Sequence, residues 1–211
     1  MGGQITALRV QKRNRNRVNV YLDGRFAFGL AAIEAARLRV GQILTDEDIA
    51  RLRQRDIAER AADRALDLLS YRPRSEAEIR ERLAQRYDPE TAAEVLERLH
   101  RSGLVDDREF ARYWVRNRFQ HNPRGVMALR QELYQKGVDE SAIEEALAEY
   151  EEEEAAACAA ERARRKFQGL PPDAFRRRLT EYLLRRGFPY SIVRAIVQQA
   201  MTDLGPEKFA E

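Results

Sequence analysis

Apolar and polar positions alternate through residues 4–30, with the period of two that a half-buried β-strand requires. Asp23-Gly24 interrupts the alternation with a pair that accepts the positive φ angles of a two-residue hairpin turn. An earlier apolar stretch from Ile5 to Val10 supplies one more strand. The apolar positions before and after the turn are Val18, Val20 and Leu22, then Phe26, Phe28 and Leu30. The pattern predicts a three-stranded antiparallel β-meander within residues 1–42.

Beyond Gly41 the apolar positions change to the three- and four-residue steps of an amphipathic helix. Thr45 is a suitable N-cap, and three acidic residues follow it in the first turn, where the helix dipole favours negative charge. Pro73 ends the predicted helix. Its apolar face comprises Ala58, Ala61, Ala62, Ala65, Leu66 and Leu69.

Three similar segments of the sequence then follow one another at a spacing of about 50 residues. It reads YRPRSEAEIRERL at 71–83, QHNPRGVMALRQEL at 120–133 and LPPDAFRRRLTEYL at 170–183. Such a period indicates a repeated supersecondary unit. The matching apolar positions are Ile79, Leu129 and Leu179, then Leu83, Leu133 and Leu183, and finally Leu96, Leu147 and Val197.

Turn signals give each unit the order helix, break, helix, break, helix. Gly137 and Gly187 follow the second helices of units two and three, where helices commonly end in a left-handed residue. Asp139 is suited to cap the third helix of unit two. Unit one has Arg86-Tyr87 and no glycine at this point, so we expect its turn to be one residue shorter.

The size of one unit predicts how the units are arranged. A three-helix unit of about 45 residues is too small to bury a large core alone, and stacked neighbours share apolar faces. The predicted fold class is therefore mainly α, an elongated tandem array of three-helix repeats preceded by the small sheet. The predicted segments after the sheet are 43–104 for a linker helix and the first repeat, 105–150 for the second repeat, 151–205 for the third, and 206–211 for a flexible tail.

Charge is distributed unevenly along this chain of 211 residues. The hydrophobic share of 44% is sufficient for packed cores, and the net charge is only +3. Residues 1–55 nevertheless hold eleven basic and five acidic residues, and Arg164, Arg165 and Lys166 follow an acidic run at 151–154. Basic patches indicate a polyanion or an acidic protein surface as partner, although helices rich in Arg and Glu are as often merely solvated.

Cellular location is predicted from what the sequence lacks. No apolar run is long enough to span a bilayer, and the N-terminus has no apolar stretch typical of a secretion signal. Cys158 is the single cysteine and forms no internal disulfide. We therefore expect no membrane contact and a reducing, cytoplasmic setting.

Catalytic and metal-binding patterns are not found. His100 and His121 belong to no HExxH motif or close cluster with carboxylates, so no metal site is predicted. Cys158 lies in an Ala-rich helix beside acidic residues, an environment that does not favour a thiolate. Asp106 or Asp107 is expected to cap a helix, which accounts for this acidic pair without chemistry. With no phosphate-binding loop either, the sequence predicts a binding protein and not an enzyme, without a cofactor.

Three stretches resemble the RecX family, whose members regulate the RecA recombinase. They are ALDLLSYRPRSEAEIRERL at 65–83, LERLHRSGLVDDREFARYWVRNR at 96–118 and PRGVMALRQELYQKGV at 123–138. A weaker similarity covers VGQILTDEDIARL at 40–52 and a third helical unit at 155–203. The resemblance implies a monomer that lies in the groove of the RecA filament on single-stranded DNA. It also implies inhibition of ATP hydrolysis, strand exchange and repressor cleavage, with weak direct DNA binding possible.

Candidate contact residues follow partly from the resemblance and partly from charge. The basic positions that match the family motifs are Arg72, Arg74, Arg118, Arg124 and Lys136, and the further basic candidates are Arg116, Arg164, Arg165 and Lys166. The stems of Arg116 and Arg118 could instead cover apolar surface. Ser75 with Glu78 is interpreted as a capping box, and the predicted core residues near these arginines are Phe110, Trp114, Leu129 and Leu133.

Two other functions remain compatible with the sequence. Three-helix units can place a recognition helix in the major groove of DNA, as transcription regulators of the helix-turn-helix class do. Such regulators are usually symmetric dimers, whereas this chain carries internal tandem units. A scaffold of helical repeats for an unrelated protein partner is the third alternative.

Overall fold

The computed structural model describes residues 2–204, so the predicted tail at 206–211 lies outside the described residues. The chain forms two compact units. The first contains residues up to 74 together with 79–104, and the second contains 75–78 and the chain from 105 onward. Among residues 2–204, no helix combines the length and apolar character needed to cross a lipid bilayer.

The N-terminal sheet contains the predicted meander and one additional strand. Strands β1 (Gly3–Val10), β2 (Arg17–Leu22) and β3 (Arg25–Ala31) pair antiparallel in sequence order. The addition is β4 (Ile43–Leu44), which pairs with the start of β1 and gives the order β3-β2-β1-β4. Asp23 and Gly24 form the predicted turn between β2 and β3, with φ angles of 47° and 80°.

One face of the sheet forms the core of this region, and one prediction about it is wrong. Val20 and Leu30 are fully buried, and Phe28 is 7% exposed, as the alternation requires. Phe26 is 59% exposed. The pairing of β2 with β3 shifts between Val20 and Tyr21, so that Val20 pairs with Phe28 but Tyr21 pairs with Phe26. This β-bulge inserts one residue and places Phe26 on the face opposite to Phe28.

Helix α1 (Ala32–Ala35) is a single turn, and α2 (Asp46–Tyr71) is the long predicted helix. Thr45 caps α2 in a reciprocal capping box with Asp48, and the backbone N–H of Thr45 holds the pKa of the Asp48 carboxyl at about 2. The prediction of the apolar face is correct for its alanines. The buried leucine that follows them, however, is Leu68, which is 8% exposed, and not Leu66, which is 43% exposed. Leu68 lies three residues after buried Ala65 and therefore on the same side of the helix.

The first repeat consists of the C-terminal part of α2 with α3 (Glu76–Ala84) and α4 (Pro89–Arg101). Asp88 caps α4 by accepting the backbone N–H of Thr91 at 2.8 Å, which lowers the pKa of Asp88. Glu59 on α2 accepts from Arg98 on α4 at 2.5 Å. The repeat core consists of Ala61, Ala62, Ala65, Leu68, Ile79, Leu83, Ala92, Val95, Leu96 and Leu99.

The second and third repeats lie in the second compact unit. Their helices are α5 (Asp107–His121), α6 (Val126–Gln135) and α7 (Glu140–Leu147), then α8 (Glu152–Lys166), α9 (Pro172–Leu184) and α10 (Tyr190–Leu204). Asp106 and Asp139 cap α5 and α7 as expected. The prediction of repeated core positions is confirmed, since Ile79, Leu129, Leu179, Leu83, Leu133 and Leu183 are all fully buried.

The turn after the second helix repeats as well. Gly137 and Gly187 adopt φ angles of 75° and 82°, which L-residues with a side chain rarely adopt. The carbonyl of the residue before each glycine accepts a hydrogen bond from the residue that precedes the second helix of the preceding repeat. The Lys136 carbonyl accepts from Ser75 Oγ at 2.6 Å, and the Arg186 carbonyl accepts from the Gly125 N–H at 2.9 Å.

Candidate functional site

Three of the predicted basic residues gather around Trp114 and Glu132 in the second compact unit. Glu132 Oε2 accepts from the Trp114 indole N–H and from Arg118 Nε, both at 2.8 Å. The guanidinium of Arg118 lies over the Trp114 ring, 4.6 Å from its centroid, and Lys136 Nζ lies 4.5 Å from the same centroid. We call these residues, with Arg124, the Trp114 cluster.

The cations of the Trp114 cluster are paired internally. Arg124 Nε lies 2.9 Å from Glu132 Oε1, but its buried N–H finds no hydrogen-bond acceptor, so this contact is an ion pair only. Lys136 Nζ donates to Glu78 Oε1 at 2.6 Å. These ion pairs therefore mainly stabilise the packing of α5, α6 and the first turn of α3. Each cation has only part of its hydrogen-bonding capacity left for a partner.

Trp114 itself is half-buried, where the sequence predicted a core residue. It packs beside the core of the second repeat, with the Phe110 ring centroid at 5.8 Å, while its N–H needs a polar acceptor. Glu132 supplies that acceptor. The resemblance of the sequence motifs singled out Arg118 and Lys136, but it did not identify Glu132 or Glu78 as their respective partners.

Arg72 and Arg74 lie at the break between α2 and α3, in the first compact unit, and both are half-buried. Arg72 donates to the Pro73 carbonyl at 2.8 Å. Arg74 Nε donates to the Leu68 carbonyl at 2.9 Å, near the end of α2, where helices leave backbone carbonyls without intrahelical partners. Arg74 therefore stabilises the end of this helix.

Ser75 and Glu78 begin α3 and belong to the second compact unit. The Glu78 backbone N–H donates to Ser75 Oγ at 3.2 Å, as the predicted cap requires. The Glu78 carboxylate is engaged with Lys136. Asp107 accepts the backbone N–H of Glu76 at 2.8 Å, so the second aspartate of the pair also has a structural contact.

Arg116, Arg165 and Lys166 are the exposed members of the predicted set. Within residues 2–204 none of the three forms an ion pair. Arg164 is half-buried and lies 3.5 Å from Glu161 one turn earlier, an exposed pair that contributes little to stability. Basic side chains at the last turn of α8 also interact favourably with the helix dipole.

Arg116 lines a groove of about 630 Å³ between α5, α7 and the start of α8. The apolar part of its wall includes Val115, Phe119 and Tyr150. The Tyr150 hydroxyl donates to the Arg124 carbonyl at 2.7 Å, and burial raises the pKa of Tyr150 to about 12. The acidic residues on the wall are Glu151 and Glu154, which belong to the acidic run of the sequence, and Glu145 and Glu149, which the sequence did not single out.

Metal chemistry receives no support from the described part of the chain. Among residues 2–204, no group of three His, Cys, Asp or Glu side chains is placed to hold a metal ion. Cys158 is a free, half-buried cysteine on α8.

Family models match the chain in four consecutive segments. The regulatory protein RecX N-terminal domain matches residues 3–45, and the first three-helix domain of RecX matches 61–99. The second and third RecX three-helix domains match 106–147 and 151–197. Most of the chain is thus covered, and the order of the matches follows the sheet and the three repeats.

Relatives over nearly the whole length carry the same description, "Regulatory protein RecX". The chain is 34% identical to that of Oceanobacillus iheyensis, covering 94% of this chain and 77% of the relative. It is 37% identical to that of Levilactobacillus brevis, covering 97% and 78%. A crystal structure of regulatory protein RecX matches 92% of this chain and 98% of its own, with a TM-score of 0.73 and 30% identity.

Proposed function

Because this chain belongs to the RecX family of regulatory proteins, we propose that it regulates the RecA recombinase by binding, and inhibiting, the filament that RecA forms on single-stranded DNA. The observation that carries the proposal is the set of four domain matches in the order of the family. Regulation in this proposal includes damping of ATP hydrolysis, strand exchange and co-protease activity.

The repeats supply a physical basis for acting on a filament. Three covalently linked repeats can each make a weak contact, and once one is bound the others act at a high effective concentration. A filament offers the same surface at regular intervals, so such a chain gains more from it than from a single RecA subunit. Arg116, Arg165 and Lys166 are the exposed cations from which we expect contacts to acidic protein surface or to phosphate.

The proposal assigns the chain no reaction of its own and no cofactor. It acts as a cytoplasmic monomer, and its effect on ATP hydrolysis is exerted through RecA. The four family matches favour this function over the transcription regulator that three-helix units also permit.

The test is ATP hydrolysis by RecA on circular single-stranded DNA, with the purified chain added from substoichiometric to equimolar amounts. We expect hydrolysis to slow well below one chain per RecA subunit, because one bound chain affects several neighbours in a filament. Unchanged hydrolysis at equimolar chain would refute the proposal. Co-sedimentation with and without RecA, across a salt series, separates binding to RecA from binding to DNA, since phosphate contacts weaken steeply with salt.

A further inference from the structure

The outer face of the N-terminal sheet carries a pair of aromatic rings, of which one is exposed and the other half-buried. Tyr21 on β2 and Phe26 on β3 meet edge to face, with ring centroids 6.0 Å apart and an interplanar angle of 76°. Phe26 is 59% exposed. The guanidinium of Arg9 on β1 lies 5.1 Å from the centroid of the Tyr21 ring, so a cation and two rings follow one another across three strands.

The Phe26 ring remains accessible on this face. Its partner Tyr21 pairs on the other side with Ala7 of β1, whose side chain is a single methyl group. The bulge that turns Phe26 outward withholds a large apolar side chain from the core, so its favourable burial is forgone. An arrangement that gives up burial and leaves the ring accessible is what binding by stacking requires.

The segment that carries the two rings is strongly basic. Residues 9–26 contain six basic residues and one acidic residue, Asp23. Arg17 is paired with Asp56 at 2.9 Å and is therefore not available. The other five are exposed and form no ion pair within residues 2–204: Arg9 and Arg25 lie beside the rings, whereas Lys12, Arg13 and Arg15 lie in the β1–β2 loop at the other end of β2. Asp23 accepts the backbone N–H of Gln4 at 3.1 Å.

We propose that this face binds single-stranded DNA, with a base stacking on Phe26 and the neighbouring arginines contacting phosphates. An exposed aromatic ring on a sheet, combined with cations that form no ion pair, matches both parts of a single-stranded polynucleotide, its base faces and its anionic backbone. A duplex offers no free base face to the ring. The choice of DNA over RNA rests on the proposed function, whereas stacking and charge rest on the structure alone.

The binding test uses the full chain without RecA and a fluorescein-labelled oligonucleotide of twenty thymidines, followed by fluorescence anisotropy at low salt. Phe26→Ala should weaken binding about tenfold, because stacking of one base contributes about 1–3 kcal/mol. Phe26→Trp should retain binding and Phe26→Leu should not, since leucine keeps apolar area but has no π face. Tyr71→Ala is the matched control, because Tyr71 is 84% exposed in the same compact unit and should be dispensable.

The charge test compares salt dependence. Arg9→Gln with Arg25→Gln should reduce the slope of log affinity against log salt by up to about 1.4, which is two phosphate contacts on a single strand. Phe26→Ala should leave that slope unchanged. Binding to a duplex of the same length should be insensitive to Phe26→Ala.

Several outcomes would overturn the inference. Absence of oligonucleotide binding by the wild type, or equal oligonucleotide affinities of wild type and Phe26→Ala, would refute the proposed stacking site. A clear preference for uridine RNA would refute the proposal that the ligand is DNA. Weaker binding of Phe26→Ala to RecA without DNA, at unchanged DNA affinity, shows that the face binds protein instead. A variant that loses DNA binding yet still slows ATP hydrolysis by RecA leaves the proposed function intact. The DNA-binding site and the proposed function can therefore be refuted independently.

Discussion

Gly125 and Gly187 are packed backbone against backbone, because a Cβ atom at Gly125 would overlap the carbonyl oxygen of Gly187. Gly125 has a φ angle of −68°, which any residue can adopt, so its requirement for glycine is steric. It precedes α6 of the second repeat, and Gly187 follows α9 of the third. The contact therefore fixes the distance between two repeats at the minimum that the backbone allows.

Gly125→Ala should lower the free energy of unfolding by about 2–3 kcal/mol, because the overlapping atom is backbone and can move only if a repeat moves. Gly169→Ala is the matched control: its φ of 86° strains alanine, but no atom lies within 4 Å of the added Cβ, and we expect a loss of about 1 kcal/mol. Urea denaturation followed by circular dichroism measures both. Equal losses would contradict the steric explanation.

Arg118 and Glu132 should be coupled in stability. In a double-mutant cycle with Arg118→Ala and Glu132→Ala, we expect a coupling energy of about 1 kcal/mol, because each side chain is mostly buried and is the other's charged partner. Arg116→Ala, at an exposed position on the same helix, should change stability by less than about 0.5 kcal/mol. Additive effects at Arg118 and Glu132 would indicate that Arg118 is free to serve a partner.

Acid should weaken the start of α2 through Asp48. The pKa of this carboxyl is lowered from 3.8 to about 2 in the folded protein, so its ionised form stabilises the fold above the unfolded value and this contribution is lost as the pH falls toward 2. Asp48→Asn should therefore flatten the dependence of unfolding free energy on pH between about 4 and 2. Denaturant titrations at several pH values measure the slope. Asp63→Asn, at an exposed position of the same helix, should leave it as in the wild type.

Reversal of two exposed charges tests the contact surface of the third repeat. Arg165→Glu with Lys166→Glu should reduce the proposed inhibition of RecA several-fold, while the free energy of unfolding falls by no more than about 1–2 kcal/mol, since both residues lie in the last turn of α8, where the helix dipole favours cations. Arg177→Glu with Arg194→Glu makes the same change in net charge at exposed positions of α9 and α10. An equal loss in both double variants would show that total charge, and not this surface, determines the effect.

The repeats could be predicted from sequence because their cores depend on local periodicity. Leu83, Leu133 and Leu183 recur at equal intervals on helices, and each is fully buried. Caps such as Asp139 were equally predictable, since the side chain bonds to the backbone three residues away. A cap is formed within one turn of chain, and the repeated core positions recur within a single sequence, so both signals can be recognised without knowing how the helices pack.

The contacts of the candidate residues could not be predicted in the same way. Lys136 binds Glu78, which lies 58 residues earlier, and Arg118 shares Glu132 with Arg124 and Trp114. These pairings depend on how helices pack, which the spacing of charges does not encode. Charge reversal at Arg74 illustrates the consequence, because it removes a hydrogen bond to the end of α2 and is expected to lower melting whatever it does to binding.

The extra residue in β3 has a genetic consequence. Loss of the single codon for Ala27 would restore regular pairing beyond Val20 and make Phe26 adjacent to Phe28, so the two rings would stay on opposite faces of the sheet. Insertion of one codon between Val20 and Tyr21 in β2 would instead give Ala27 a partner and rotate Tyr21 and Phe26 to the side that Phe28 occupies. A one-codon insertion in β2 is thus sufficient for descendants of one gene to lose an aromatic surface, while the three repeats downstream keep their sequence.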